Sequence, residues 1–111
     1  MPKSDRPSPA EFQVLLALVD GPKHGHAIKI DVMDRTEGAV EMGPGTLYGA
    51  VKRLLRRGWI ADVTDDFATE SDDGRLRYYE ATTGGLDAAR AEALHLSSLV
   101  AIAWDKALID R

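Results

Sequence analysis

One short segment of the chain concentrates positive charge. Gly43 to Ile60 reads GPGTLYGAVKRLLRRGWI and holds four basic residues and no acidic one, although the 111-residue chain has a formal net charge of -4. Clustered Lys and Arg side chains suit a polyanion such as DNA, because they neutralise its phosphates. Since the chain as a whole is acidic, we expect any nucleic-acid binding to be confined to this local patch.

On a helical wheel this segment divides into an apolar face and a charged face. Each interior glycine costs a helix about 0.5–1 kcal/mol relative to alanine. Glycines that lie beside clustered basic side chains therefore indicate a helix face that the backbone of another molecule approaches closely. We predict that this face enters the major groove of DNA. The alternative is a solvated face whose basic side chains only increase solubility and interact favourably with the dipole at the helix C-terminus. The apolar face is Leu47, Ala50, Val51 and Leu54; the charged face is Gly45, Gly49, Lys52, Arg53 and Arg56, flanked by Thr46 and Arg57.

The predicted DNA-binding residues lie on this helix and on a later β-prone segment. The Thr46 and Tyr48 hydroxyls can bond phosphates and so position the helix, although partial burial beside Leu55 is an equal alternative for Tyr48. Arg75 and Arg77 alternate along a strand and therefore point the same way; their alternative role is to pair with the acidic loop before them. The predicted set is Thr46, Tyr48, Gly49, Lys52, Arg53, Arg56, Arg75 and Arg77.

The surrounding sequence predicts the elements that position these residues. Ser8-Pro9-Ala10-Glu11 is typical of a capping box, which begins a helix that runs to about residue 20. The expected core residues of that helix are Phe12, Leu15, Leu16 and Val19. Further helices are predicted over 25–36 and 44–57, strands over 59–63 and 76–80 with a polar loop between them, and a long last helix from Thr82 or Thr83 almost to Arg111.

This order of elements favours a mainly α fold with a small β-hairpin wing. Two helices joined by a turn that contains glycine, followed by a hairpin, are typical of a winged helix-turn-helix. We predict a disordered leader at residues 1–7, a winged helix-turn-helix DNA-binding domain at 8–81, and a long C-terminal dimerisation helix at 82–111.

The last helix is too apolar to remain in water. Residues Leu99 to Trp104 are six consecutive apolar residues, so no polar face survives there. A homodimer would cover this surface. Trp104 is interpreted as a packed interface residue or, alternatively, as an aromatic wall for a flat effector between protomers. The predicted dimerisation residues are Leu96, Leu99, Val100, Ala103, Trp104 and Ala107.

Three motifs, in this order along the chain, resemble those of the PadR-like transcriptional regulators. The resemblance covers about residues 10–90 and implies a winged helix-turn-helix dimer that represses transcription, with the last helix dimerising. Some members of the family release DNA on binding a small, often aromatic, compound. This chain has His26 where the family often has Tyr, and Gly49 where it often has Pro. The motifs are Gly21-Pro22-Lys23-His24-Gly25; Gly45-Thr46-Leu47-Tyr48 with Lys52-Arg53-Leu54 and Gly58-Trp59-Ile60; and Gly74-Arg75-Leu76-Arg77-Tyr78-Tyr79 with Thr82 and Gly85.

The loop between the two predicted strands is acidic. From Asp62 to Asp73 it contains six acidic residues and no basic one, so phosphates would repel its tip. We therefore restrict the predicted DNA contacts of the wing to Arg75 and Arg77. The alternative function is a winged-helix protein–protein interaction module that uses its acidic wing for a protein partner and does not recognise DNA sequence.

The remaining composition argues against an enzyme. The chain has no cysteine, which excludes disulfides and thiolate sites. It offers no nucleophile with a nearby base and no phosphate-binding loop, and its three histidines are too scattered for a metal site. No cofactor or metal is predicted. No membrane partner is predicted either, because no apolar run approaches the roughly 20 residues that span a bilayer. A cytoplasmic protein that binds double-stranded DNA at an inverted repeat, as a homodimer, is the simplest interpretation.

Overall fold

The computed structural model describes residues 6–67 and 76–110. This part of the chain is mainly α-helical with a small antiparallel sheet, as the sequence predicts. The elements in chain order are α1 (Pro9–Leu18), β1 (Lys23–His24), α2 (Gly25–Arg35), α3 (Pro44–Arg57), β2 (Ile60–Asp62), α4 (Thr64–Phe67), β3 (Tyr78–Ala81) and α5 (Thr83–Asp105).

The helix ends follow from local sequence signals. At α1 the predicted capping box is confirmed, since Ser8 Oγ accepts from the Glu11 N–H at 3.2 Å and the Ser8 N–H donates to Glu11 Oε1 at 2.7 Å. Helix α3 ends at Gly58, whose φ of 75° is the left-handed conformation that glycine adopts without strain. At α5 the Thr82 side chain accepts from the Gly85 N–H.

The sheet has three strands rather than the two of the predicted hairpin. Its order is β1-β3-β2, with β3 in the centre and both neighbours antiparallel to it. The additional strand is only Lys23–His24, too short to show the alternating pattern by which a strand is recognised in sequence. His24 also caps α2, because its Nδ1 accepts from the Ala27 N–H at 3.1 Å.

A short helix occupies the first part of the predicted acidic loop. The Thr64 N–H donates to Asp62 Oδ1 at 2.9 Å, and α4 begins at Thr64. Hydrogen bonds from the Thr64 hydroxyl and N–H lower the pKa of Asp62 below its ordinary value. The rest of the loop and Arg75 lie outside the described residues, so the predicted contact of Arg75 with DNA stays a prediction.

The core is built around α1, which packs against α2, α3 and α5. Because α1 has neighbours on several sides, it buries Val14, Ala17 and Leu18 in addition to Leu15. The expectation that Val19 belongs to the core is wrong, since its side chain is 54% exposed. The other fully buried residues include Ile28, Val32, Ala50 and Leu54.

The last helix is shorter than predicted. It ends at Asp105, with Lys106 as its C-cap, so its 23 residues span about 34 Å at 1.5 Å per residue. Ala107 has a φ of 58°, a left-handed conformation that ends a helix. The expectation that the last helix continues through Ala107 almost to Arg111 is therefore wrong. None of the helices in residues 6–67 and 76–110 is both long enough and apolar enough to cross a membrane.

The segment before α1 is fixed against α5. The Arg6 guanidinium donates two hydrogen bonds to the Glu92 carboxylate, each at 3.0 Å, and Pro7 is buried. These hydrogen bonds lower the pKa of Glu92. Residues 1–5 of the predicted leader lie outside the described residues, whereas its last two residues are held in place.

Candidate nucleic-acid interface

Helix α3 is held to the core by one face, as the wheel predicts. Leu47, Ala50, Val51 and Leu54 are all buried, none more than 3% exposed. On the other face Gly45, Thr46 and Tyr48 are exposed, and so are Lys52, Arg53 and Arg56. The helix therefore presents a basic surface that carries no acidic side chain of its own, on a support that cannot rotate without exposing the core.

Lys52 and Arg56 are the basic side chains of α3 that extend into solvent without an ion pair in the described part of the chain. Both are exposed, and they lie one turn apart, at i and i+4, on the same side of the helix. Their charges are thus available to a phosphate or to the acceptor atoms of a base edge.

Arg53 is placed differently from its neighbours. Its Nε lies 3.4 Å from Glu11 Oε2, and its side chain is half exposed. A Cβ built on Gly49 would lie 3.4 Å from Arg53 Nη1, so the guanidinium lies back along the helix over this glycine. Gly49 therefore borders the side chain of Arg53, a contact that the sequence does not reveal.

Arg57 lies at the edge of this surface. Its Nε is 3.6 Å from Glu11 Oε2, its side chain is only 25% exposed, and its guanidinium carbon lies 4.5 Å from the centroid of the Trp59 ring. Such a cation–π contact stabilises the fold. This position agrees with the helical wheel, on which Arg57 flanks the charged face.

Tyr48 reaches from α3 toward the start of α2. Its side chain is 51% exposed, and a Cβ on Gly25 would lie 2.7 Å from its hydroxyl oxygen. Gly25 thus leaves the space in which the Tyr48 ring lies between the two helices of the motif. The hydroxyl therefore lies beside the N-terminus of α2, where Gly25 is the first residue.

The wing contributes a compensated charge. Arg77 Nε lies 4.0 Å from Asp62 Oδ2, with both side chains substantially exposed, and an exposed pair of this kind contributes about 0–1 kcal/mol to stability. The pairing with the acidic segment, given above as the alternative role of Arg77, is therefore present in the structure. Asp65 and Asp66 on α4 are exposed nearby in sequence, so this side of the wing is negative.

Within the described residues there is no cluster of three or more His, Asp or Glu side chains that could hold a metal ion. His24 and His26 stack with ring centroids 6.5 Å apart, and His24 meets the edge of Tyr78. These histidines support the start of α2 rather than forming a site for chemistry.

The sequence and the fold both match known regulators. Residues 14–91 match the model of the transcriptional regulator PadR-like family. The chain belongs to the PadR-like family of transcriptional regulators. Membership places this winged-helix chain among transcriptional regulators.

Solved structures agree with the family assignment at the level of fold. A PadR family transcription regulator from Clostridium difficile R20291 superposes with a TM-score of 0.71 at 19% identity, covering 88% of this chain and 97% of that one. A transcriptional regulator from Clostridium thermocellum gives a TM-score of 0.70 at 20% identity, covering 84% of each chain. At such identities the likeness concerns the fold alone.

A longer relative extends over almost the whole chain. An uncharacterised 37.1 kDa protein in transposon TN4556 of Streptomyces fradiae is 31% identical over 105 residues, which cover 95% of this chain. The chain spans 28% of the length of that relative. The region of the Streptomyces fradiae protein that matches this chain is therefore a minor part of a longer polypeptide.

Two features of the interface were not predicted from sequence. The capping box assigned a role to Glu11, but nothing local indicated that its carboxylate is buried beneath Arg53 and Arg57. Likewise, the pairing of Arg6 with Glu92 joins residues far apart in the chain.

Proposed function

We propose that this PadR-like regulator is a transcriptional repressor that binds double-stranded DNA as a homodimer, with one α3 in a major groove for each protomer. The observation that carries the proposal is the exposed basic face of α3 on a helix anchored by four buried side chains. The proposal includes a cytoplasmic location.

The homodimer is supported by the exposed apolar surface of α5. Its buried residues, Gly85, Ala89 and Glu92, all lie in its N-terminal half, so the second half extends beyond the core of its own chain. Contiguous apolar surface of this kind marks an interaction site, and closed two-fold symmetry is the commonest solution. The exposed apolar side chains in this half are Leu94, Leu96, Leu99, Val100, Ile102 and Trp104, and the exposed Leu108 and Ile109 follow the helix.

The dimer contact can be tested by placing one charge in this surface. Leu99 is 49% exposed, and Leu99→Glu would bury a carboxylate without a partner in each half of a symmetric interface, a cost of several kcal/mol. We expect sedimentation equilibrium to show a dimer for the wild type and at least about a 100-fold weaker association for the variant. Ile30→Glu, at a 41% exposed apolar residue of α2, is the matched control and should remain dimeric. Dissociation of both variants, or of neither, would contradict an interface on α5.

The operator can be sought by selection from randomised duplexes, followed by anisotropy titrations. A two-fold dimer should enrich an inverted repeat whose half-sites lie about one helical turn apart. We count four basic side chains per protomer that contact phosphates: Lys52, Arg53, Arg56 and Arg77. At about -0.9 per phosphate contact, the dimer should give a slope of log K against log salt near -7. Absence of enrichment at low salt, with the dimer intact, would contradict the proposal.

The exposed acidic side of the wing favours a second candidate, a protein–protein interaction module. Asp65 and Asp66 are exposed on α4, and their charge suits a basic partner. Such a module would give no salt-dependent DNA isotherm, so the same titration separates the two functions.

Relief of repression by a small aromatic effector is the finer part of the proposal. Trp104 is 36% exposed near the end of α5, where a flat compound could stack against its indole between two protomers. Trp104 fluorescence should then change with an aromatic compound that also weakens DNA binding. An unchanged emission across a broad panel of such compounds would exclude this site.

A further inference from the structure

Glu11 is a buried carboxylate with one oxygen that forms no hydrogen bond in the described structure. The residue is 1% exposed. Its Oε1 accepts the Ser8 N–H that completes the capping box, whereas Oε2 is buried and has no hydrogen-bond donor. A buried charge without compensation is costly, so the charges that face Oε2 determine what this carboxylate does.

Two guanidinium groups of α3 face Oε2. Arg53 Nε lies 3.4 Å away and Arg57 Nε lies 3.6 Å away. Arg57 is mostly covered and lies against the Trp59 ring, so it is bound to the fold. Arg53 is half exposed and belongs to the solvent-facing surface of α3, so the carboxylate supports one residue of the fold and one of the interface.

The position of Arg53 is set by the buried carboxylate of α1, which attracts its Nε edge. Its Nη1 atom lies over Gly49, one turn earlier. An arginine held by an ion pair at one edge loses rotamer freedom before it meets a ligand, so less entropy is lost on binding. A planar guanidinium group bonds the edge of a guanine base only from a defined direction. The orientation of Arg53 therefore affects discrimination between DNA sequences more than it affects affinity for phosphate.

We propose that Glu11 is a positioning residue for sequence recognition, acting through Arg53. The proposal rests on the DNA-binding function proposed above. The carboxylate also offsets part of the Arg53 charge, so its removal frees that charge for phosphates while it releases the side chain from its orientation. Discrimination and non-specific affinity should therefore change in opposite directions, a result that mere loss of stability does not give.

Glu11→Gln tests this role with little change in shape, since a glutamine at this position also completes a capping box. The selected operator and a scrambled duplex are titrated with the wild type and the variant, and melting temperatures are recorded. We expect the ratio of the two affinities to fall about 10-fold, the lower end of the loss of one base contact, while affinity for the scrambled duplex stays equal or rises.

A double-mutant cycle identifies the route of the effect. In an Arg53→Ala background, Glu11→Gln should change the ratio by less than about two-fold, the limit of additivity for independent sites. In the matched Arg57→Ala background the full effect of Glu11→Gln should persist. An equal loss in the Arg53→Ala background, or an unchanged ratio for Glu11→Gln alone, would overturn the proposal.

Two further outcomes remain distinguishable. If Glu11→Gln does not fold, Arg53→Lys replaces it, because lysine keeps the charge and lacks the Nε that faces the carboxylate; an unchanged ratio for Arg53→Lys would overturn the proposal. If the wild type itself does not discriminate between duplexes, the DNA-binding function fails and the role of Glu11 fails with it. Discrimination by the wild type that Glu11→Gln leaves intact rejects only the positioning role.

Discussion

Replacing Lys52 and Arg56 together with alanine should weaken DNA binding at least about 30-fold, since each of the two lost contacts to a base or phosphate costs about 1–3 kcal/mol. Both side chains are exposed on the solvent face of α3, and neither takes part in an ion pair within the described residues. Their removal therefore leaves no buried charge and no cavity, and alanine favours a helix. The melting temperature should stay within a few degrees of the wild type.

A charge-matched control separates a local contact from the effect of net charge. Arg90→Ala with Lys106→Ala removes the same two charges from exposed positions of α5 and of its C-cap. By anisotropy at fixed salt, this control should bind DNA within about three-fold of the wild type, because exposed charges far from the duplex are screened. Equal weakening by both double variants would mean that the protein attracts DNA only through its total charge.

The parts of the interface that sequence predicted are those set by local rules. Helix α3 begins at Pro44 and ends at Gly58, as proline at the first turn and glycine at the C-cap indicate. Its division into faces follows from the 3.6-residue period alone, and Leu47, Ala50, Val51 and Leu54 are buried as that period requires. These features depend on neighbours within one helix, so no tertiary information was needed.

The parts that sequence missed depend on contacts between distant segments. Strand β1 exists only because Lys23 and His24 lie beside β3. Val19 is exposed as the C-cap that follows the last residue of α1, and Glu11 is buried where two arginines of α3 approach it. No periodicity within α1 encodes these neighbours.

The glycines of α3 illustrate the same limit. Their cost to the helix suggested close approach by DNA, yet at Gly49 the neighbour that the structure provides is the Arg53 guanidinium. Gly45 has no atom of another residue within 4 Å of the position of a Cβ, so it remains open to a partner. Gly49 therefore lies beside a side chain of its own helix, whereas Gly45 leaves the surface open. The sequence alone does not distinguish the two positions.

Gly84 and Gly85 differ most strongly in how closely other atoms approach them. Gly85→Ala should lower the free energy of unfolding by about 3 kcal/mol, the upper end of the cost of overpacking. A Cβ on Gly85 would lie 1.9 Å from the Trp59 carbonyl oxygen and 2.8 Å from its carbonyl carbon. That oxygen also accepts the Thr82 N–H at 3.0 Å, and Trp59 directly precedes β2. Neither backbone can withdraw without breaking the junction between the sheet and α5.

Gly84→Ala provides the matched control, because it differs by one position in the same helix. The nearest atoms to its added Cβ are Trp59 Cδ1 at 3.7 Å and Thr82 Oγ1 at 3.8 Å, which are ordinary contact distances, so alanine should be neutral or stabilise the helix by at most about 0.5–1 kcal/mol. Urea denaturation of the two variants should therefore give midpoints on opposite sides of the wild type, or one unchanged and one strongly lowered. Equal midpoints would show that α5 does not approach Trp59 as closely as described, and that α5 is attached to the winged domain in a different way.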